Sequence, residues 1–172
     1  MKSQNTLKYF LYFLLFAGLQ VVLFLNVSLF NVAFCFVYIG FILLLPIETS
    51  KVVQMLSAFA IGLVVDIFYD TLGIHAAASV LIAYIRAHVI NLLTPRGGYD
   101  TGIEISVQSL GFQWFITYAG ILVFTHHFAL FFLEVLSISN FGRILLKTFA
   151  SSIFTVFVIT LLQYLFKSPK RI

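Results

Sequence analysis

From Leu7 onward this sequence is a succession of long apolar runs separated by short polar turns. A helix needs about 20 apolar residues, at 1.5 Å each, to cross a hydrocarbon core of about 30 Å. Several runs here reach that length. Water could not solvate them: only 9% of residues are charged and 62% are hydrophobic, against about 25% charged in soluble domains. Lipid must cover what a soluble core could not hide. With short loops, 172 residues hold about six spans, leaving no space for a soluble domain of ordinary size. The expected fold is an all-α integral membrane protein, one polytopic domain over residues 1–172. Any chemistry has to come from the spans or the short loops.

The first span is expected over Leu7–Leu25, after a polar, basic start without a small-residue cleavage site, and reads as an uncleaved anchor. The second, Val32–Leu45, is short and ends at Pro46, whose ring cannot continue an ordinary helix. The third covers Val52–Phe68, and Tyr69 to Gly73 forms a tight connection to the fourth, Ile74–Leu93. Thr94–Gly102, with Pro95, Gly97 and Gly98, is the clearest loop. Ser106–Leu136 is too long for a simple span. It reads as a tilted helix, or as a span followed by an interfacial piece from His126 and His127. Ser137–Gly142 is a turn, and Arg143–Phe166 is the sixth span. Five spans, with a broken second or fifth segment, is the rival count.

Basic residues orient such a bundle. With the N-terminus in the cytoplasm, Lys2, Lys8, Lys51, Arg96, Lys167, Lys170 and Arg171 all face inward. Arg143 and Lys147 face outward and Arg86 lies within a span, a bias of seven to two. Both termini are therefore expected inside. The net charge of +4 comes from residues at span ends rather than from a nucleic-acid-binding patch. The single cysteine, Cys35, excludes an internal disulfide and reads as a small buried hydrophobe.

Ionisable groups within spans are costly and turn toward protein or water. Asp66 closes the third span and Asp70 follows four residues later. They read as solvated or capping carboxylates, or as groups that join two spans or present a partner contact. On the fourth span His75, Ser79, Ile82 and Arg86 share a helical face, and Ala76, Ala77, Ala78, Ala83 and Ala87 allow close packing. This helix is expected at the centre of the bundle. Arg86 either snorkels to the headgroups or finds a polar partner inside. Gln113, Thr117 and Gly120 are expected to face other helices, as are Thr148, Ser151 or Ser152, and Thr155. His126, His127 and Glu134 invite a metal reading, but adjacent histidines point about 100° apart on a helix. The His-Glu-x-x-His pattern of zinc peptidases is missing. A hydrogen-bonded cluster is expected instead, with Glu134 meeting Arg143 or Lys147. No metal, cofactor, Walker loop or nucleophile motif emerges, so no enzyme activity is expected.

The stretch from Gly62 through Asp66, Leu72, Gly73, His75 and Ala76 to Ala83 and Tyr84 resembles the rod shape-determining protein MreD family. That family shows a Gly-x-x-x-Asp span end, a short turn, Leu-Gly-hydrophobic-His-Ala, and an apolar helix ending in Ala-Tyr. The Pro95–Tyr99 loop and the stretch from His126 to Phe141 are similar to Bacteroidetes-type members. The resemblance implies a non-catalytic subunit of the bacterial elongation (Rod) complex in the inner membrane, supporting cell shape and lateral peptidoglycan synthesis. Its implied partners are MreC above all, then MreB, RodA and a transpeptidase penicillin-binding protein. Gly62, Asp66, Asp70, Leu72, Gly73, His75 and Ala76 would form an outer corner that docks MreC. The family is also regarded as similar in fold to the S components of energy-coupling-factor transporters. The alternative is therefore a small-molecule-binding subunit or carrier, with a cavity lined by several of Ser79, Arg86, Gln113, Thr117 and Thr155.

Overall fold

The computed structural model describes residues 2–136 and 140–165, with side chains from residue 7. The chain is a helical membrane bundle. In order it forms α1 (Lys2–Leu23), the strands β1 (Ser28–Leu29) and β2 (Ala33–Phe34), and the short helix α2 (Ile39–Leu43). Then come α3 (Lys51–Tyr69), α4 (Ile74–Leu92), α5 (Val107–Leu110), α6 (Phe112–Val135) and α7 (Phe141–Leu165). Among the described residues, α3, α4, α6 and α7 are long and apolar enough to cross a membrane; the apolar part of α1, Leu7–Leu23, is shorter. The expected bounds of the third, fourth and sixth spans fall within a few residues of α3, α4 and α7. Residues 137–139 of the expected turn, and Phe166, Lys167, Lys170 and Arg171, lie outside the described residues.

Two expectations need correction. The long fifth segment does break, but at Gly111 and not near His126. Gly111 adopts φ 86° and ψ 157°, a conformation open mainly to glycine. It separates the short α5 from α6, and both histidines lie inside the continuous α6.

The second correction is larger. Val32–Leu45 is not a transmembrane helix, so the described residues do not form six helical spans. The chain leaves α1, turns through Phe30 and Asn31 at positive φ, pairs β1 with β2, and enters the bundle largely extended. Only Ile39–Leu43 is helical. Yet Cys35 through Leu43 is buried throughout. Phe36 lies against His75 of α4, and Leu45 lies against Arg86. The segment therefore runs alongside α4 for about 16 Å, at 1.5 Å per helical residue.

Irregular backbone at membrane depth is tolerated where protein encloses it and satisfies its polar groups. Here α7 does this with hydroxyls. Ser151 Oγ accepts from the Phe34 N–H at 2.9 Å and Thr155 Oγ1 accepts from the Phe36 N–H at 3.1 Å. The same hydroxyls lie 3.4 Å from the carbonyls of Val32 and Phe34. The spacing explains the match. Four helical residues rise about 6 Å and two extended residues about 6.6 Å. A Ser/Thr pair at i and i+4 can thus imitate a neighbouring strand. Gln20 of α1 serves the other side, donating to the Cys35 carbonyl at 3.2 Å and accepting from the Tyr38 N–H at 3.3 Å.

Around this crossing segment, α4 packs between α3 and α6, α6 packs on α7, and α1 packs on α2 and α3. The central place expected for the alanine-rich α4 is the one it occupies. At the end of the bundle away from the α3–α4 turn, Lys8 pairs with Glu104 at 2.5 Å, and Glu48 accepts from the Gly102 N–H at 3.1 Å.

Candidate functional site

Gly62, Asp66, Asp70, Leu72, Gly73, His75 and Ala76 lie together at the α3–α4 turn. Helix α3 ends because Asp70 takes a left-handed conformation, φ 53° and ψ 44°. Gly73 follows at φ 86° and opens α4. Gly62 lets the two helices touch: a Cβ there would stand 2.5 Å from Ala76 Cα and 2.8 Å from the His75 carbonyl oxygen. Neither backbone atom can move aside without separating the helices.

Asp66 then caps α4 across the gap. Its Oδ1 accepts from the His75 N–H at 3.0 Å and its Oδ2 from the Ala76 N–H at 2.9 Å. Thr71 Oγ1 donates to Oδ1 at 2.5 Å, and His75 Nδ1 stands 3.1 Å from the same oxygen. A carboxylate at a helix N-terminus meets unpaired amides and the positive end of the helix dipole. The capping and helix-joining readings of Asp66 are thus the same set of contacts. With Nδ1 carrying the proton toward Asp66, His75 Nε2 is a bare acceptor, buried without a partner among the described residues. Asp66 and His75 are both buried, so neither presents a group to a partner. Asp70 is exposed, and Leu72 projects fully, at 102% relative exposure.

Arg86 is the largest fully buried side chain. It does not snorkel. Its Nε donates to Tyr118 Oη at 2.8 Å. Its Nη2 donates to the Leu45 carbonyl and, at 3.4 Å, to that of Pro46. Tyr118 in turn donates to the Leu43 carbonyl at 3.0 Å. Arg86 and Tyr118 together hold the last turn of the crossing segment, where Pro46 breaks the backbone ladder. Nη1 of Arg86 has no partner among the described residues.

A cluster of histidines surrounds Phe36. Its ring lies 5.3 Å from His75, 5.3 Å from His127 and 6.2 Å from His126, measured between centroids. His126 Nε2 is 2.6 Å from Tyr38 Oη, and Ser79 Oγ donates to the same hydroxyl at 3.4 Å. His127 Nδ1 donates to the Val123 carbonyl at 2.8 Å, so its Nε2 can accept from Thr155 at 3.2 Å. Among the described residues, no group of three His, Cys, Asp or Glu side chains is placed to hold a metal ion.

The expected polar face therefore divides. Ser79, Arg86 and Thr155 turn inward onto the crossing segment and its neighbours. Gln113 and Thr117 do not join them: both are exposed on the outer side of α6, whose inner side carries Phe115, Tyr118, Ala119 and Leu122. Gly120 is half-buried and Glu134 exposed. Sequence reasoning missed Gln20, Tyr38, Thr71 and Tyr118. Gln20 carried a usable signal, a lone amide in an apolar run, since such groups usually face protein. Compared with protein-family models, with curated protein sequences and with solved structures, the chain matches none.

Proposed function

We propose that the chain is a non-catalytic, partner-binding membrane subunit of the MreD kind, working with MreC in the bacterial elongation complex. One observation carries this reading. Gly62, Asp66, His75 and Ala76 of the family-like stretch meet at a single braced corner, with Gly62 against Ala76 and Asp66 across the first turn of α4. The polar groups there hold two helices at a fixed spacing, as a platform requires. In this reading the chain sits in the inner membrane with both termini cytoplasmic, and the corner faces the periplasm. Leu72 and Asp70 form its outward surface, next to where MreC leaves the membrane.

Affinity purification from native membranes in mild detergent tests this. MreC should be recovered with RodA, a transpeptidase penicillin-binding protein and MreB. Asp66→Asn and His75→Ala, acting through the corner's shape, and Leu72→Glu, acting at its surface, should each lower MreC recovery at equal membrane levels. Unchanged recovery with all three would remove the corner from the interface. Absence of MreC from the wild-type sample would remove the reading itself.

The crossing segment favours a second reading, a small-molecule carrier similar to an S component. Discontinuous backbone near the middle of a membrane is a common way to build a substrate site. A small molecule retained through purification, identified by mass spectrometry, would support it over the first.

A further inference from the structure

Asp66 is a buried carboxylate within the bundle, and among the described residues no lysine or arginine pairs with it; its one ionisable partner is His75. A buried charge of this kind calls for an opposite one. Both carboxylate oxygens are already occupied by donors: the amides of His75 and Ala76, the Thr71 hydroxyl and His75 Nδ1. A proton placed on Asp66 would displace one of them. His75 Nε2, by contrast, has a free lone pair, with neither a partner among the described residues nor contact with solvent. A proton is the one ligand that needs no added space there.

The His75 ring also touches the side chains that hold the crossing segment. It lies 5.0 Å from the Tyr69 ring and 6.1 Å from that of Tyr38, between centroids. Tyr69 Oη accepts from Gln20 Nε2 at 2.7 Å, and Gln20 is the amide that serves Cys35 and Tyr38. Tyr38 Oη accepts from Ser79 and donates to His126 Nε2, so one of its two lone pairs is unused. On His126 the proton then sits on Nδ1, which has no partner among the described residues either.

We propose that His75 Nε2 is a proton-binding site whose state is passed through Tyr38 to His126 and the crossing segment. With the proton bound, His75 is a cation paired with Asp66, and its Nε2–H needs an acceptor. The spare lone pair of Tyr38 Oη supplies one, and turning toward His75 draws that hydroxyl off His126. The other charges around the site come from two helices. On α6, Glu134 attracts a positive charge at His75, while His126 and His127 are neutral in the bonds they make and oppose it only once charged. On α7, Lys147 lies farther out, over the Phe34 and Phe131 rings at 5.3 and 5.6 Å. Helix α1 presents only the uncharged Gln20. Thr71 bonds both Asp66 and His75 and is half-buried at the turn, so acidity acts from the corner's side of the membrane. The inference goes beyond the partner-binding reading and needs none of its named partners.

NMR of isotope-labelled histidine nitrogens tests it, on the full chain in nanodiscs, from about pH 8 to about pH 4, either side of the usual histidine value. At the upper end His75 and His126 should each show a neutral ring protonated at Nδ1. On acidification His75 should become an imidazolium, and the His126 Nε2 resonance should shift with the same midpoint as its hydroxyl bond weakens. His75→Gln should abolish that shift, and Tyr38→Phe should abolish it while His75 still titrates. Exposed His88 is the reference and should titrate alike in all three proteins. A His75 that stays neutral throughout would overturn the proton site, a result the wild-type chain gives without any variant. A His126 shift with a separate midpoint, or one that survives in either variant, would overturn its transmission through Tyr38.

Discussion

The α3–α4 pair and the crossing segment sit side by side in one bundle and solve the same problem in opposite ways. The helices satisfy their backbone internally, so their side chains are free to set spacing: Gly62 admits Ala76, and Asp66 needs to serve only the exposed amides at one helix end. The crossing segment cannot satisfy itself. It borrows Gln20, Ser151, Thr155, Arg86 and Tyr118 from four surrounding helices. A helix pair is thus a local device, fragile at the point of contact, whereas an irregular crossing spreads its dependence over the whole bundle.

Substitutions can break that contrast. The largest effect is expected from Arg86→Met, which leaves the Leu45 and Pro46 carbonyls and the Tyr118 hydroxyl short of a donor in a dry interior. A buried acceptor left without its donor costs about 1–3 kcal/mol, several lose their donor at once, and the variant should lose its cooperative thermal unfolding in detergent. Gly62→Val comes next. Overpacking costs about 1–3 kcal/mol, and against fixed backbone the upper end is expected, seen as a lowered thermal midpoint. Asp66→Asn retains one acceptor oxygen. Loss of a helix cap costs about 0.5–2 kcal/mol, so a smaller drop is expected by the same assay, with Asp66→Ala below it. Thr155→Val removes one hydroxyl from a shared ladder, and polar contacts within membranes average about 0.6 kcal/mol. Its effect should be small alone and more than additive with Ser151→Ala, because the two serve alternate residues of one extended segment. Strict additivity in the double variant would show that the hydroxyls do not act as a surrogate strand.

The same contrast explains what the sequence disclosed. Helices declare themselves through local rules: apolar length, the glycine and turn residues around Asp70 to Gly73, the alanines of α4. Those rules located α3, α4 and α7 closely; the grouping of Gly62, Asp66, Gly73 and His75 came from the resemblance to the MreD family. Val32–Leu45 is equally apolar, so hydropathy alone counted it as a span. What makes it irregular is Pro46 at its end together with partners far along the chain. Ser151 and Thr155 looked like helix-packing hydroxyls, and only their alignment with alternate residues of an extended strand gives them their role. Gln113 and Thr117 were misplaced for a related reason. On α6 apolar residues lie on every side and the polar ones fall both inward and outward, so the helix carries almost no periodic signal, and its inward face is set by the aromatic and histidine side chains that meet α4 and α7.

The hydrogen bonds from Phe34 and Phe36 to α7 join residues 117 and 119 positions apart. A ribosome adding 5–20 residues per second takes about 6 to 24 seconds to cover that distance. For that interval the second segment has left the ribosome while the hydroxyls it requires do not yet exist. Something has to shelter it, either the insertion machinery or a temporary helical form that unwinds on docking. Assembly therefore runs out of order: α7, made long after the segment it satisfies, is the helix that allows that segment to take its shape, and a chain truncated before α7 would leave the segment without its wall.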